Sequence, residues 1–320
     1  MKMICSTCQH NEAKKHGRDR KGNQRFKCLL CGKTFIPPTV NVLGDSRLPI
    51  DRAVFCLRLL LEGNSIRATS RLTDTDKTAI INLVVNVGEK CERFLRTKIC
   101  GVPAPDIQLD EIWGFVGCKE RTRERLAKGS EFGDAYCFTA IERSTKLLVS
   151  WHLGKRSQYD TIQFVHKLDA ATAGKFQVST DGWGPYGPAI REILGQRADH
   201  GRIVKNYTTV DGDDQRRYSP PTVSSCEKQA IWGTPDMENV CTSHVERANL
   251  SMRMGIRRLT RLTNAHSKKW ENHDAALALW FAFYNFCRVH MTLKTTPAVA
   301  AGLTDHTWSV LELLQVIATH

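Results

Sequence analysis

Asp106-Ile107-Gln108-Leu109-Asp110-Glu111-Ile112-Trp113-Gly114-Phe115-Val116 reads as a β-strand. Ile107, Leu109 and Glu111 alternate with Gln108, Asp110 and Ile112, the period of two that a strand requires. Asp110 is an unusual occupant, because strands disfavour Asp. Residues 135–141 and 147–153 predict a hairpin across Glu142-Arg143-Ser144-Thr145. Residues 158–171 follow as a helix, with Ser157 and Asp160 at capping-box spacing. A short strand at 176–179 runs into Thr180-Asp181-Gly182-Trp183, then come a helix to residue 194 and a strand at 202–207.

Three strands, a helix, a strand, a helix and a strand is the ribonuclease-H-like order, so an α/β catalytic domain is expected over residues 104–300. Asp181 falls where a strand ends and a Gly opens the turn, the position that faces the ligand crevice in open α/β sheets. Residues 208–242 read as a loop-like insertion, with Asp211-Gly212, Pro220-Pro221 and Gly233. Beyond it Glu246 lies near the start of a helix expected over 244–263. Carboxylates from a strand, a strand end and a helix make a hard oxygen site for Mg²⁺ or Mn²⁺. Glu227 and Glu238 are alternatives to Glu246, which is preferred because Arg247, Asn249 and Arg253 follow it on the same helix.

From Arg247 to Lys269 there are seven Lys or Arg and no acid. This run, with Arg247, Arg253, Arg257, Arg258 and Arg261, suits a DNA strand led toward the carboxylates. Leu277, Leu279, Trp280, Phe281, Phe283 and Tyr284 mark a core helix at 275–286, and residues 301–320 read as a tail.

Upstream, Gly101-Val102-Pro103-Ala104-Pro105 is a linker. Before it, residues 48–98 carry three helical segments broken at Gly63-Asn64 and Thr73-Asp74-Thr75, with Ser65 as an N-cap. That pattern is a helix-turn-helix, whose third helix would place Asp76, Lys77 and Thr78 near DNA bases. Residues 1–36 hold Cys5-x-x-Cys8 and Cys28-x-x-Cys31, nineteen residues apart, the spacing of a zinc ribbon. So short a segment buries too little core to fold without its Zn²⁺, and four filled positions make the metal structural. Lys14, Lys15, Arg18, Arg20 and Lys21 lie between the knuckles as phosphate-contact candidates, ahead of a stiff break at Pro37-Pro38.

The whole chain carries 46 Lys and Arg against 33 acids, a formal charge of +13, which favours a polyanionic partner. No apolar run reaches the length of a membrane span, and residues 1–10 lack a signal-peptide core. A cytoplasmic, nucleoid-associated protein without a membrane partner is the expectation, with its 12 cysteines reduced or metal-bound.

The runs Leu109-Asp110-Glu111-Ile112-Trp113-Gly114-Phe115-Val116, Thr180-Asp181-Gly182-Trp183 and His244-Val245-Glu246-Arg247-Ala248-Asn249-Leu250-Ser251-Met252-Arg253 together resemble transposases of the insertion-sequence-one family. Arg257-Arg258-Leu259-Thr260-Arg261-Leu262-Thr263-Asn264 and Tyr284-Asn285-Phe286-Cys287-Arg288-Val289-His290, followed by Thr296-Pro297, fit as well. The resemblance extends over the ribbon and the helix-turn-helix. It implies an Asp-Asp-Glu triad at Asp110, Asp181 and Glu246, metal-dependent cutting at element ends, and attack of the freed 3′-hydroxyl on target DNA. The 64 residues between Asp181 and Glu246 exceed the spacing of compact members and point to a subgroup with an insertion there. Double-stranded DNA, both element ends and target, is the implied partner. Because two ends must meet, a homo-oligomer on DNA is expected. The alternative is a non-catalytic DNA-binding regulator derived from such an enzyme; a third reading is a nuclease that cuts without joining.

Overall fold

Asp106–Val116 forms β5, the longest strand of a six-stranded mixed sheet. In the computed structural model, residues 4–20, 22, 24–36, 42–44, 46–207 and 223–319 are described. Lys21, Pro37-Pro38 and the part of the insertion from 208 to 222, with Asp211-Gly212 and Pro220-Pro221, lie outside the described residues.

On one side β5 pairs antiparallel with β6 (Gly133–Glu142), which pairs antiparallel with β7 (Leu148–Gly154). On the other, β9 (Phe176–Thr180) runs parallel to β5, and β10 (Ala198–Tyr207) parallel to β9. β11 (Val223–Trp232) closes the edge antiparallel to β10, giving the order β11-β10-β9-β5-β6-β7. The insertion expected as loop therefore contributes a strand. Its first six residues, Val-Ser-Ser-Cys-Glu-Lys, are exposed one after another, so no buried face imposes an alternating pattern.

The pleat sorts the helices into two layers. Phe138 on β6 meets Phe164 of α5 (Gln158–Ala171) with ring centroids 5.6 Å apart, while the next residue, Thr139, pairs with Trp151, which meets Phe281 of α8 (Trp270–Phe286) at 5.1 Å. α5 and α6 (Tyr186–Ile193) thus cover one face, and α8 and α7 (Ser243–Gly255) the other. α7 ends at Gly255, and a single 3₁₀ turn, Arg257–Leu259, replaces the helix expected to residue 263. Asn285 on α8 is buried and uses both ends of its amide: its Oδ1 accepts from Leu148 N–H and its Nδ2 donates to Leu148 C=O, each at 3.0 Å. That pair ties α8 to the outer edge of β7 and satisfies backbone groups that would otherwise be buried without partners.

Helices α1 (Ile50–Leu61), α2 (Ile66–Thr73) and α3 (Lys77–Lys98) stand where three helices were expected. Ser65 Oγ accepts from Ala68 N–H, and Asp76 Oδ1 from Thr78 and Ala79 N–H, so side-chain caps start both short-turn helices. The expected domain boundary near residue 100 is not a boundary of packing. α3 is long enough to pack its C-terminal half on α8, and a Cβ at Gly88 would lie 2.2 Å from Ala275 C=O. One apolar core runs from α1 through the sheet to α10 (Val310–Ile317). Residues 301–320, expected as a tail, belong to it: Leu313, Leu314 and Ile317 are fully buried, and Trp308 stacks on Phe286 at 4.5 Å. The apolar stripe of this helix is too short to be distinguished, in sequence, from an amphipathic end.

The ribbon is separate. β1 (Ala13–Arg18), β2 (Gln24–Cys28) and β3 (Thr34–Phe35) form a small antiparallel sheet whose own core is Cys5, Cys28 and Phe35. Among the described residues, no helix is long and apolar enough to cross a membrane.

Candidate metal centres and nucleic-acid interface

Cys5, Cys8, Cys28 and Cys31 bring their sulfurs within 4.8 Å of one another. Cys5 and Cys31 Sγ are 3.7 Å apart, Cys8 and Cys28 Sγ 3.6 Å. A Zn–S bond of about 2.3 Å sets a tetrahedron edge of about 3.8 Å, so these two pairs already have the separation the ion requires. The backbone N–H of Cys8 lowers the Cys5 thiol to about 6, whereas, against the His10 backbone N–H, burial and the neighbouring thiols raise Cys8 to about 12; sulfurs this close do not all ionise unless a cation joins them. Lys14, Lys15, Arg18 and Arg20 are exposed on or beside β1.

The second cluster is assembled by strand register. β9 pairs with β5 only as far as Gln108 and Ser179; two residues further, where β9 has ended, Asp110 and Asp181 stand side by side. Carboxylate oxygens of Asp110, Glu111 and Asp181 lie within 4.8 Å of one another. Asp110 is oriented from α7, with Asn249 Nδ2 donating to Asp110 Oδ2 at 2.8 Å and Thr139 Oγ1 donating to Asn249 Oδ1 at 3.3 Å. Asp181 Oδ1 accepts from Trp183 N–H at 2.9 Å, which fixes the turn after β9. Burial, then the charge of Asp181, raises Asp110 to about 6. Burial likewise raises Glu111 to about 7, opposed by the buried Tyr186 hydroxyl and Arg156. Glu111 Oε1 is buried and has no hydrogen-bond partner among the described residues. Hard, crowded, under-neutralised oxygens of this kind fit a divalent cation.

Glu246 is not a member of that group. Its carboxylate pairs with Lys205 and accepts from Thr242 Oγ1 at 2.7 Å. It nonetheless stands on the first turn of α7, three residues before Asn249 and so on the same helix face, and its charge is among those that raise Asp110. Glu227 is exposed on the edge strand β11, and Glu238 on the turn beyond it. Arg156 supplies positive charge in the cluster: its guanidinium lies 4.2 Å over the Trp183 ring, 3.3 Å from Glu111 and 3.9 Å from Asp181. Sequence reading missed Arg156, Glu111 and Tyr186. Glu111 is adjacent to Asp110 and should point to the opposite face; it reaches the cluster only because β5 has no neighbour on that edge here, a consequence of topology that no periodicity reveals.

The basic candidates divide. Lys77, Thr78, Arg247, Arg257 and Arg261 are exposed. Arg253 is half-buried and donates to the carbonyls of Leu259 and Trp113, and Arg258 donates to Ser267 Oγ and Asn272 C=O. Both guanidinium groups hold the segment after α7 in place.

No family model matches this sequence, and no curated protein does. Among solved structures, a piggyBac transposase synaptic complex with hairpin DNA is similar at 10% identity, over 84% of this chain and 70% of that one, with a TM-score of 0.40. That likeness is too loose to place any residue.

Proposed function

We propose that the protein is a DNA transposase with a zinc ribbon, a helix-turn-helix and a ribonuclease-H-like catalytic domain, in which Asp110, Asp181 and Glu246 hold Mg²⁺ or Mn²⁺. The single observation that carries the reading is the meeting of Asp110 and Asp181 where β9 ends, with α7 joined to Asp110 through Asn249. The motif resemblance around the same three acids supports it, as does the spatial strand order of the first five sheet strands, third-second-first-fourth-fifth. When bound, a pair of divalent cations would activate the attacking hydroxyl and stabilise the leaving oxygen.

The chain's own groups prepare that site. Asn249 and the Trp183 N–H fix the two aspartates, and burial, then the charge of Asp181, raises Asp110, both of which a cation would offset. Lys205 holds Glu246 aside until a cation competes for it. Arg156, braced on Trp183, is placed to neutralise a phosphate approaching Asp181. The ribbon and α3 would carry DNA through Lys14, Lys15, Arg18, Arg20, Lys21, Lys77 and Thr78, with Arg247, Arg257 and Arg261 nearer the carboxylates. Two ends must be joined, so a homo-oligomer on DNA follows.

The test is cleavage and joining of labelled element-end DNA, with Mg²⁺ or Mn²⁺, comparing the native protein with Asp110→Asn. Cutting and joining by the native protein alone upholds the reading. Binding without cutting by either protein replaces it with the regulator alternative.

A further inference from the structure

Between the helix-turn-helix segment and the stretch after α7 lies a cleft of about 780 Å³. One wall is α2 and the start of α3, carrying exposed Arg67 and Lys77; the other is residues 257–269, carrying exposed Arg257, Lys268 and Lys269. No acid lines it. Arg258 also lines it, desolvated enough to lower its guanidinium to about 10, and no carboxylate pairs with it among the described residues. A desolvated cation without a counter-ion is costly unless an anion joins it. The floor is apolar, from Leu60, Ile81 and Ala276, and there the Trp280 indole N–H is buried without an acceptor among the described residues.

We propose that this cleft holds a short single-stranded stretch of DNA, its phosphates on the six cations and its sugars and bases on the apolar floor. The volume lies within the range of about 300–1,000 Å³ typical of ligand pockets and suits a few nucleotides. A basic rim over an apolar floor is how single strands are held without sequence reading. The inference rests on the transposase reading for its choice of DNA. It adds that DNA passing from the helix-turn-helix toward the carboxylates is locally unpaired.

The probes are fluorescein-labelled dT20, rU20 and a 30-bp duplex of mixed sequence, titrated by anisotropy from low to high salt. The variant is Arg67→Ala with Lys268→Ala and Lys269→Ala; all three side chains are exposed, so the melting curve should match the native one. The expected result is at least tenfold weaker dT20 binding and a salt slope reduced by about 2, from about 0.7 per lost strand phosphate contact, with a smaller change on the duplex. Unchanged dT20 affinity and slope would overturn the proposal. So would a duplex weakened as much as the strand, or rU20 bound more tightly than dT20 and lost in the variant. Cleavage of element-end DNA, run in parallel, separates the two readings. Cleavage with no effect on dT20 removes the cleft and keeps the transposase. Loss of dT20 binding without cleavage keeps the cleft and removes the transposase.

Discussion

The cysteine cluster and the carboxylate cluster are built by opposite means. The four cysteines come from two tight knuckles in a segment with almost no other core, and their sulfurs stand at metal-bound separations. The carboxylates of Asp110, Glu111 and Asp181 come from β5 and the end of β9, on a sheet that is stable for reasons of its own, and Glu246 stands outside the group, engaged by Lys205. In the first, the ligand set is the structure; in the second, the structure exists to present the ligands. The same ion loss should therefore have unequal consequences.

The largest expected effect is on the ribbon. Structural zinc contributes about 10–16 kcal/mol to such modules, more than a segment of this size can replace. Cys28→Ser, or chelation, should abolish the single bound zinc and unfold residues 4–36, while the sheet domain keeps its melting transition. Elemental analysis with limited proteolysis reads both. Loss of the main transition together with the ribbon would end the contrast.

Next is catalysis. Asp110→Asn should lower cleavage by about 10³-fold or more, equivalent to about 4 kcal/mol of barrier, with duplex binding retained. Equal loss of binding would show that Asp110 supports the fold instead.

How much of this was legible follows from the same contrast. Knuckle spacing is local, so Cys5, Cys8, Cys28 and Cys31 could be read directly. A charge inside a strand and an Asp-Gly at a strand end mark Asp110 and Asp181, but 33 acids compete with them, and the resemblance of the runs around them to insertion-sequence-one transposases is what selects these two. Glu111 and Arg156 were not legible, since nothing in their neighbourhood announces that β9 stops short of them. The edge strand β11 and the buried helix α10 escaped for a related reason: one has no buried face, and the other's partners, α1, α3 and α8, are distant in sequence.

A smaller effect separates presentation from stability. The Asp110 carboxyl is raised by burial and by Asp181, so its contribution is fully present below the ordinary carboxylate value and is lost as pH rises through about 6. Without metal, Asp110→Asn should melt a few degrees above the native protein at pH 7.5, corresponding to about 1–2 kcal/mol, and the two should converge near pH 4. Mg²⁺ should raise the native protein alone. A native protein that melts higher than the variant at pH 7.5 without metal would mean that Asp110 is held by partners and not crowded by charge.

The smallest structural effect belongs to Glu246. Its ion pair with Lys205 is partly open to solvent, and screened pairs of this kind are worth about 0–1 kcal/mol, so Glu246→Gln should leave the melting curve almost unchanged. If Glu246 completes the triad as proposed, cleavage should nevertheless fall at least about a hundredfold, because the cation would lose a carboxylate ligand. Glu227→Gln and Glu238→Gln, on the far edge strand and the turn after it, should cut normally. If Glu246→Gln also cuts normally, the third ligand is already present beside Asp110 as Glu111, and the cluster seen in the structure is the complete site. The first result sharpens the contrast, since a ligand recruited on binding belongs to a centre that is presented; the second breaks it, since the carboxylates would then stand assembled before the cation arrives, as the four sulfurs do.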